Sequence, residues 1–170
     1  MENITITKLQ EKFPNAIRAV KMFRNEWTVE LQLESLLNIC QYLRDDKELV
    51  FHYLSDLCGV DNLNKSNGAN ALLAGDTPRF EIIYHLYSHK LNDRIRLKVQ
   101  VDEPKSVPSV ISVWQGANWL EREVYDQFGI KFVGHPDLRR ILNPDHWETH
   151  PLRKDYPLRG LDEPYMVEPK

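Results

Sequence analysis

Residues 27–33 alternate between apolar and polar side chains with a period of two, which is typical of a strand with one buried face. A further run at residues 18–23 precedes this segment, and the polar residues 24–26 separate the two. The pattern therefore predicts a β-hairpin. The residues on the predicted buried face of its second strand are Trp27, Val29, Leu31 and Leu33.

The clearest alternation of the chain lies between residues 80 and 101. Apolar residues occupy every second position of residues 80–86 and 95–101, on either side of the polar loop SHKLND. This pattern predicts a second β-hairpin. One face of its second strand carries Arg94, Arg96 and Lys98, and we expect that face to be solvated, with binding of a partner as the alternative.

Helical spacing, with apolar residues three and four positions apart, appears in the first third of the chain. One short helix is predicted from Thr7 and Gln10, which have capping-box spacing, to a stop at Pro14. A second is predicted at residues 35–44, where Cys40 lies on the apolar side and is interpreted as a small core residue. A short strand is predicted after it, at residues 49–54, before a polar loop at residues 61–77.

Two more helices are predicted near residues 107–114 and 119–128, the second with Asn118 as its N-cap and Gly129 beyond its C-terminus. The predicted order of elements is therefore α-β-β-α-β-β-β-α-α, with strands joined mainly by hairpins. This order favours an α+β fold, in which helices pack on an antiparallel or mixed sheet.

The last forty residues differ from the rest, so we predict a core domain at residues 1–130 and an extended arm at residues 131–170. Six of the ten prolines lie in this arm, and proline, which lacks an N–H group and fixes φ, prevents long helices and interior strands. The arm nevertheless contains large apolar residues such as Leu138, Trp147 and Tyr165, which disordered tails usually lack. We therefore expect the arm to be ordered only against the surface of another protein.

The overall composition, with 42% hydrophobic and 28% charged residues among 170, is that of a globular protein. A net charge of −3 gives no reason to expect nucleic acid as a partner. Cys40 and Cys58 do not form the framework of a secreted disulfide-rich protein, which favours a reduced cytosolic setting. The sequence shows no signal-peptide pattern and no run of roughly 20 apolar residues, so membrane association is expected only through a partner.

The sequence lacks the short motifs of several common cofactor sites and catalytic centres. It contains no GxGxxG or GxxxxGK[ST], no CxxC, no HExxH and no GxSxG. Two isolated cysteines cannot supply the four ligands of an iron–sulfur cluster. The pairs His85/His89 and His146/His150 are spaced like metal ligands on a helix, but one leaves a predicted strand and the other lies among prolines. A metal-dependent hydrolase using these histidines is therefore a rival hypothesis without further support.

Charged residues are densest in WLEREVYDQFGIKFVGHPDLRRIL, at residues 119–142. In a catalytic interpretation, Glu121 or Glu123 is a general base and His135 a general acid. In a structural interpretation, the charges cap a helix, pair with the arginines that follow, or face a partner protein. Carboxylates and arginines that meet at an interface fix its orientation, so the physical argument favours an interface over a solvated surface and over catalysis.

This segment, together with HPLRKDYPL at residues 150–158, resembles the hallmark of the C subunit of complex I, the 30 kDa subunit family of NADH-quinone oxidoreductase. YHLYS at residues 84–88, RLKVQV at 96–101 and SDLCGVD at 55–61 also resemble that family, so the similarity extends over most of the chain. The residues of the first segment that match the family pattern are Glu121, Arg122, Glu123, Asp126, Phe128, Gly129, His135, Pro136, Arg139, Ile141 and Leu142.

The resemblance implies a structural and assembly subunit without catalytic residues of its own, in the peripheral arm of a proton-translocating NADH-quinone oxidoreductase. Its neighbours would be the D, B and I subunits of that enzyme. It would bind no cofactor, metal or nucleic acid, since FMN and the iron–sulfur clusters belong to partner subunits that pass electrons from NADH to quinone. Its place would be the cytoplasmic face of the bacterial cell membrane. The alternative is the equivalent subunit of a ferredoxin-dependent or hydrogenase-type membrane complex.

The resemblance also implies that the matching motifs form an interface with partner subunits. The residues expected there are Glu121, Arg122, Glu123, Tyr125, Asp126, Gly129, His135, Pro136, Arg139, Arg140, Leu152, Arg153, Lys154, Asp155 and Tyr156.

Overall fold

The computed structural model describes residues 3–63, 78–158 and 160. The helices among these residues are α1 (Ile4–Lys12), α2 (Leu36–Asp45) and α3 (Ala117–Phe128), with a short 3-10 helix (Leu33–Ser35) before α2. The strands are β1 (Ile17–Phe23), β2 (Glu26–Leu31), β3 (Tyr53–Asp61), β4 (Phe80–Ser88), β5 (Asp93–Val101), β6 (Val107–Pro108) and β7 (Phe132–Val133). The predicted loop at residues 61–77 lies largely outside the described residues.

Among the described residues, five strands form one mixed sheet in the order β1-β2-β5-β4-β3. The neighbours are antiparallel except β2 and β5, which are parallel. β6 and β7 form a separate parallel pair. Apolar side chains from the sheet and the helices form one hydrophobic core, which confirms the predicted α+β fold.

Both predicted hairpins are present. β1 and β2 are joined by Arg24 and Asn25, whose φ angles are 50° and 67°. Two consecutive residues with positive φ make the type I′ turn that matches the twist of antiparallel strands. β4 and β5 pair antiparallel from Phe80 opposite Val101 to Ser88 opposite Asp93. The alternating pattern therefore predicted both hairpins correctly, because one face of each strand is buried in the core.

The basic face of β5 is less solvated than expected. Arg96 forms an ion pair with Glu26 of β2 at 2.8 Å, and Lys98 forms one with Glu81 of β4 at 3.0 Å. Both basic side chains are half-buried, because each lies across a neighbouring strand to reach its partner. Arg94 is exposed, as predicted. Cross-strand pairs of opposite charge therefore hold this face together.

α1 begins at a different residue from the predicted one. Asn3 is its N-cap, and the side-chain oxygen of Asn3 accepts hydrogen bonds from the backbone N–H groups of Thr5 (2.9 Å) and Ile6 (3.3 Å). The predicted start at Thr7 is wrong, since Thr7 lies inside the helix. α2 agrees with the prediction, and Cys40 is fully buried on its core side.

The strand predicted at residues 49–54 is wrong, because β3 begins only at Tyr53. Leu49 and Phe51 are fully buried, which explains the apolar pattern, but Val50 has a φ of 49°. The backbone N–H of Phe51 donates to the carbonyl of Leu43 at 2.9 Å, so this segment closes the end of α2. Apolar periodicity does not distinguish a buried connection from a buried strand.

The helix predicted near residues 107–114 is also wrong. β6 pairs with β7 there, and turns follow in which the N–H groups of Val113 and Trp114 both donate to the carbonyl of Val110. The backbone N–H groups of Val107 and Ser109 donate to the carbonyls of Lys131 and Val133, both at 2.9 Å, so this segment forms strand hydrogen bonds instead of helical ones. α3 begins after Gly116 rather than Asn118, and it ends as predicted at Gly129, whose φ is 77°.

Candidate interface formed by α3 and the C-terminal arm

α3 lies directly against β3, one of the two edge strands of the five-stranded sheet. Val124 and Phe128 of α3 are buried in the core. A Cβ atom at Gly59 of β3 would lie 2.8 Å from a ring carbon of Phe128 and 3.3 Å from a methyl carbon of Val124. The missing side chain of Gly59 therefore allows this close approach of helix and strand.

Asp126 faces away from this contact and fastens the arm to α3. Its carboxylate is fully buried and forms an ion pair with Arg140 at 2.6 Å. It also accepts the backbone N–H groups of Ile141 (3.2 Å), Leu142 (2.8 Å) and Asn143 (2.8 Å). Burial raises the pKa of Asp126, but these hydrogen bonds outweigh burial and hold the pKa well below its usual range.

The arm also supplies partners for the last carbonyl groups of α3, which have none inside the helix. The hydrogen bonds are His150 Nδ1 with Asp126 O at 2.9 Å, Leu152 N to Gln127 O at 3.2 Å, and Arg153 Nε to Phe128 O at 2.7 Å. Arg140 and Arg153 bring positive charge to the negative end of the helix dipole. The described arm therefore caps α3.

Further along, the arm pairs with the edge of the sheet. The backbone N–H of Lys154 donates to Asp61 of β3 at 2.9 Å, and Asp155 forms an ion pair with Arg79 at 2.7 Å. Arg79 in turn pairs with Asp61 at 2.9 Å. Burial raises the pKa of Asp61, but the bonds from Arg79 and Lys154 lower it below the usual value.

The segment after β7 lies along the outer side of α3. Arg122 donates from Nε and Nη2 to the carbonyls of Arg139 (3.1 Å) and Arg140 (2.8 Å). His135 Nδ1 accepts the backbone N–H of Asp137 at 3.0 Å, so its Nε2 carries the proton and donates to the carbonyl of Asn118 at 3.1 Å. The Arg122 side chain of α3 therefore bonds to the arm, and the His135 side chain of the arm bonds to α3.

Glu121 points to the core side of α3. It is fully buried and accepts hydrogen bonds from the hydroxyl of Ser109 and the N–H of Val110, both at 2.7 Å. No hydrogen bond or ion pair of the described chain joins His135 to Glu121 or to the exposed Glu123. The hydrogen bonds of Glu121 and His135 therefore go to residues 109, 110, 118 and 137 of the same chain.

The fifteen residues of the predicted interface occupy three kinds of position, and their role at an interface stays a prediction. The buried ones are Glu121, Arg122 and Asp126. The half-buried ones are Tyr125, Gly129, His135, Arg140, Arg153 and Tyr156. The exposed ones are Glu123, Pro136, Arg139, Leu152, Lys154 and Asp155.

Several large apolar side chains of α3 and the arm are exposed. Trp119 of α3, Leu142 and Leu152 of the arm are 63%, 64% and 52% exposed. Arg122 lies over the ring of Trp119 at 5.6 Å, and the N–H groups of Leu142 and Leu152 are bonded to Asp126 and Gln127. We call these three residues the apolar strip. Exposed apolar side chains that form a contiguous patch are typical of surfaces that bind other proteins.

Sequence reasoning missed several residues that organise this surface. Ser109, Asn143 and Arg79 bond to members of the predicted set, and none was singled out. Asp61 and His150 lay in stretches that resembled the family, but their partners could not be known. Asp61 and Lys154 are 93 residues apart in sequence, so only the fold brings them together.

The described residues contain no group of three or more histidine, cysteine, aspartate or glutamate side chains placed to hold a metal ion. In the same part of the chain, none of the helices has the length and apolar character needed to cross a membrane.

The family model described as respiratory-chain NADH dehydrogenase, 30 Kd subunit, matches residues 29–162. The chain belongs to this family. The C subunit of NADH-quinone oxidoreductase from Roseiflexus sp. (strain RS-1) is 47% identical over 96% of this chain and 88% of its own length. The C subunit from Geobacter sulfurreducens is 47% identical over 96% of this chain and 94% of its own.

The fold of this member of the 30 Kd subunit family also occurs in a solved structure. A chain of the membrane-bound sulfane sulfur reductase, an archaeal respiratory membrane complex, superposes with a TM-score of 0.71. The match covers 90% of this chain and 84% of that chain at 20% sequence identity. At this identity the likeness shows the fold alone. The family resemblance inferred from the motifs is therefore confirmed by the family model and the curated relatives.

Proposed function

We propose that the chain is a non-catalytic structural and assembly subunit of the peripheral arm of a proton-translocating NADH-quinone oxidoreductase, respiratory complex I. The observation that carries this proposal is the 47% identity to proteins named as the C subunit of that enzyme, over nearly the whole of both chains. Glu121, Arg122 and Asp126 support a structural role, because their charged side chains form hydrogen bonds and an ion pair within the chain itself.

We further propose that the neighbours in the complex are the D, B and I subunits, and that they hold the chain at the cytoplasmic face of the bacterial cell membrane. FMN and the iron–sulfur clusters would be bound by partner subunits. The absence of dinucleotide, phosphate-loop and four-cysteine motifs supports that assignment. The names of the relatives support NADH as the electron donor of the complex rather than ferredoxin or hydrogen.

The apolar strip is our candidate for the contact with the D subunit. Its three side chains are exposed, yet the backbone of Leu142 and Leu152 is held by hydrogen bonds to α3, so little conformational entropy is lost when a partner covers them. Aromatic residues such as Trp119 are enriched among the residues that contribute most to binding. Ion pairs with exposed charges such as Glu123 and Arg139 would set the orientation around the strip.

The test is substitution of the strip in the intact complex. We expect Trp119→Ala and Leu142→Ala to lower the amount of assembled complex and its NADH:quinone reductase activity in parallel, since a weakened contact reduces assembly rather than turnover. Truncation of an aromatic residue that is a hot spot of an interface costs about 2 kcal/mol or more. The measurement is native gel quantification of the complex together with activity per assembled complex, which should stay unchanged.

Phe23→Ala is the matched control. Phe23 is 67% exposed and lies on β1, at the edge of the sheet opposite β3, against which α3 packs. We expect this variant to assemble normally. Normal assembly of both strip variants, or an equal loss in the Phe23 variant, would contradict the assignment of the strip. A free chain with no co-purifying subunits would contradict the proposed function itself.

A further inference from the structure

Glu121 is a fully buried carboxyl group with only neutral hydrogen-bond partners. Its Oε2 meets the hydroxyl of Ser109 and its Oε1 meets the backbone N–H of Val110, each at 2.7 Å. Both partners lie in the segment that joins β6 to α3. In the described part of the chain, no lysine, arginine or histidine forms an ion pair with Glu121.

The groups that face Glu121 from other elements add no positive charge. Cys40 of α2 and Tyr84 of β4 are fully buried, and the hydroxyl of Tyr84 has no hydrogen-bond partner among the described residues. Burial raises the pKa of both groups, and the negative charge of Glu121 raises each further. On α3 itself, the guanidinium of Arg122 points to the carbonyls of the arm.

The two partners of Glu121 differ in what they can do. The N–H of Val110 only donates, whereas the hydroxyl of Ser109 can donate or accept. A charged Glu121 accepts from both. A neutral Glu121 still accepts from Val110 through Oε1 and donates its own proton to Ser109 Oγ. Both protonation states therefore keep both contacts, and no backbone movement is needed to change between them.

We propose that Glu121 is a reversible proton-binding site in the core, at which the Ser109 hydroxyl reverses its hydrogen bond when the carboxyl group exchanges a proton with solvent water. The neutral form suits a core without a compensating cation. The charged form lowers the stability of the fold, because desolvation of an uncompensated carboxylate is unfavourable. The stability of the fold is therefore sensitive to pH.

The pH range follows from burial, which raises the pKa of Glu121 to about 7 against the lowering effect of the two hydrogen bonds. The folded chain then binds more protons than the unfolded chain between the ordinary glutamate value of 4.5 and about 7. The contribution of Glu121 to stability is fully present below 4.5 and is lost as the pH rises through about 7.

The decisive measurement is a pH titration of the full-length chain with ¹³C-labelled glutamate carboxyl groups, followed by NMR from about pH 5 to about pH 9. We expect one carboxyl signal with a midpoint at about 7 in the wild type. Glu121→Gln should remove this signal. Glu123→Gln, at an exposed position of the same helix, should leave it in place.

Ser109→Ala provides a second, independent variant. The hydrogen bond from Ser109 lowers the pKa of Glu121, so its removal should move the midpoint of the signal to higher pH. The urea midpoint of the wild type should fall relative to that of Glu121→Gln as the pH rises through neutrality. The proposal is overturned if every glutamate signal titrates near the ordinary value, if the signal survives in Glu121→Gln, or if Ser109→Ala leaves the midpoint unchanged.

Discussion

At the scale of single residues, Asp126 does the most to fix the arm. Its carboxylate accepts hydrogen bonds from the side chains of Arg140 and Asn143 and from three successive backbone N–H groups. A fully buried carboxylate is tolerated only when it is paired and its remaining lone pairs are satisfied. Asp126 meets both conditions, and it can do so only because residues 140–143 turn around it.

Asp126→Asn should strongly destabilise the chain. The substitution removes the partner of Arg140 and places an NH₂ group among hydrogen-bond donors, and loss of one partner of a buried ion pair costs about 3 to 5 kcal/mol. The measurement is the free energy of unfolding in urea. Asp137→Asn, which removes an exposed ion pair with Arg139, should change it by less than about 1 kcal/mol. Similar effects of the two substitutions would contradict the assignment.

The same carboxylate should make the fold acid-sensitive. The pKa of Asp126 is lowered in the folded chain, so its contribution is present above the ordinary aspartate value of 3.8 and is lost as the pH falls below it. Acid unfolding followed by circular dichroism should show this loss in the wild type. The Asp126→Asn variant should show a smaller decrease in stability over the same range, and an unchanged acid profile would contradict this explanation.

At the scale of elements, α3 depends on the arm for its C-terminal cap. Gly129 ends the helix in the left-handed conformation, as its position in the sequence predicts. A Cβ atom there would lie 2.6 Å from His150 Nε2 and 2.8 Å from Arg153 Nη2. The two side chains cannot simply move aside, since His150 bonds to Asp126 and Arg153 bonds to Phe128.

Gly129→Ala should therefore cost more than an ordinary substitution of a glycine with positive φ. Gly134 is the matched control, because its φ is 87° and a Cβ atom there would meet nothing within 4 Å. We expect Gly134→Ala to cost about 1 to 2 kcal/mol from backbone strain alone, and Gly129→Ala to cost a further 1 to 3 kcal/mol, roughly, from the displaced caps. The measurement is urea unfolding of both variants. Equal losses would show that the caps contribute little.

At the scale of the whole molecule, the described part of the arm lies against the rest of the same chain. Residues 131–158 contact α3, β3 and Arg79, which lies just before β4, in the same chain. The division at residue 130 and the dependence of the arm on foreign surface stay predictions. The contacts, however, give the described part a surface to lie on within its own chain.

Hydrogen exchange of the purified full-length chain, without partner subunits, distinguishes these possibilities. We expect the amides of Leu142, Asn143, Leu152 and Lys154 to be protected, because each donates to an acceptor on α3 or β3. Thr7 to Leu9 inside α1 provide a reference for helical protection. Exchange of the arm amides at unprotected rates until the complex forms would show that foreign surface orders them.

The sequence was most informative where one face of an element is buried. The two hairpins, α2 and the end of α3 follow from apolar periodicity and from Gly129. Sequence-based prediction of secondary structure was wrong at residues 49–54 and 107–114. These segments are rich in buried apolar side chains, but most of their backbone is irregular. In these segments the backbone hydrogen bonds go to distant carbonyls or to turns, and no local pattern encodes such partners.

The sequence by itself determined the α+β class, the main strands and the family, because periodicity and motifs are local properties of the chain. Only the tertiary structure decided that the carboxylates of Glu121 and Asp126 are buried and accept hydrogen bonds from other residues of this chain. Their partners, Ser109, Val110 and residues 140–143, lie 11 to 17 positions away along the chain. Whether a charged side chain faces a core, an arm or solvent depends on how elements pack, and that is a long-range property.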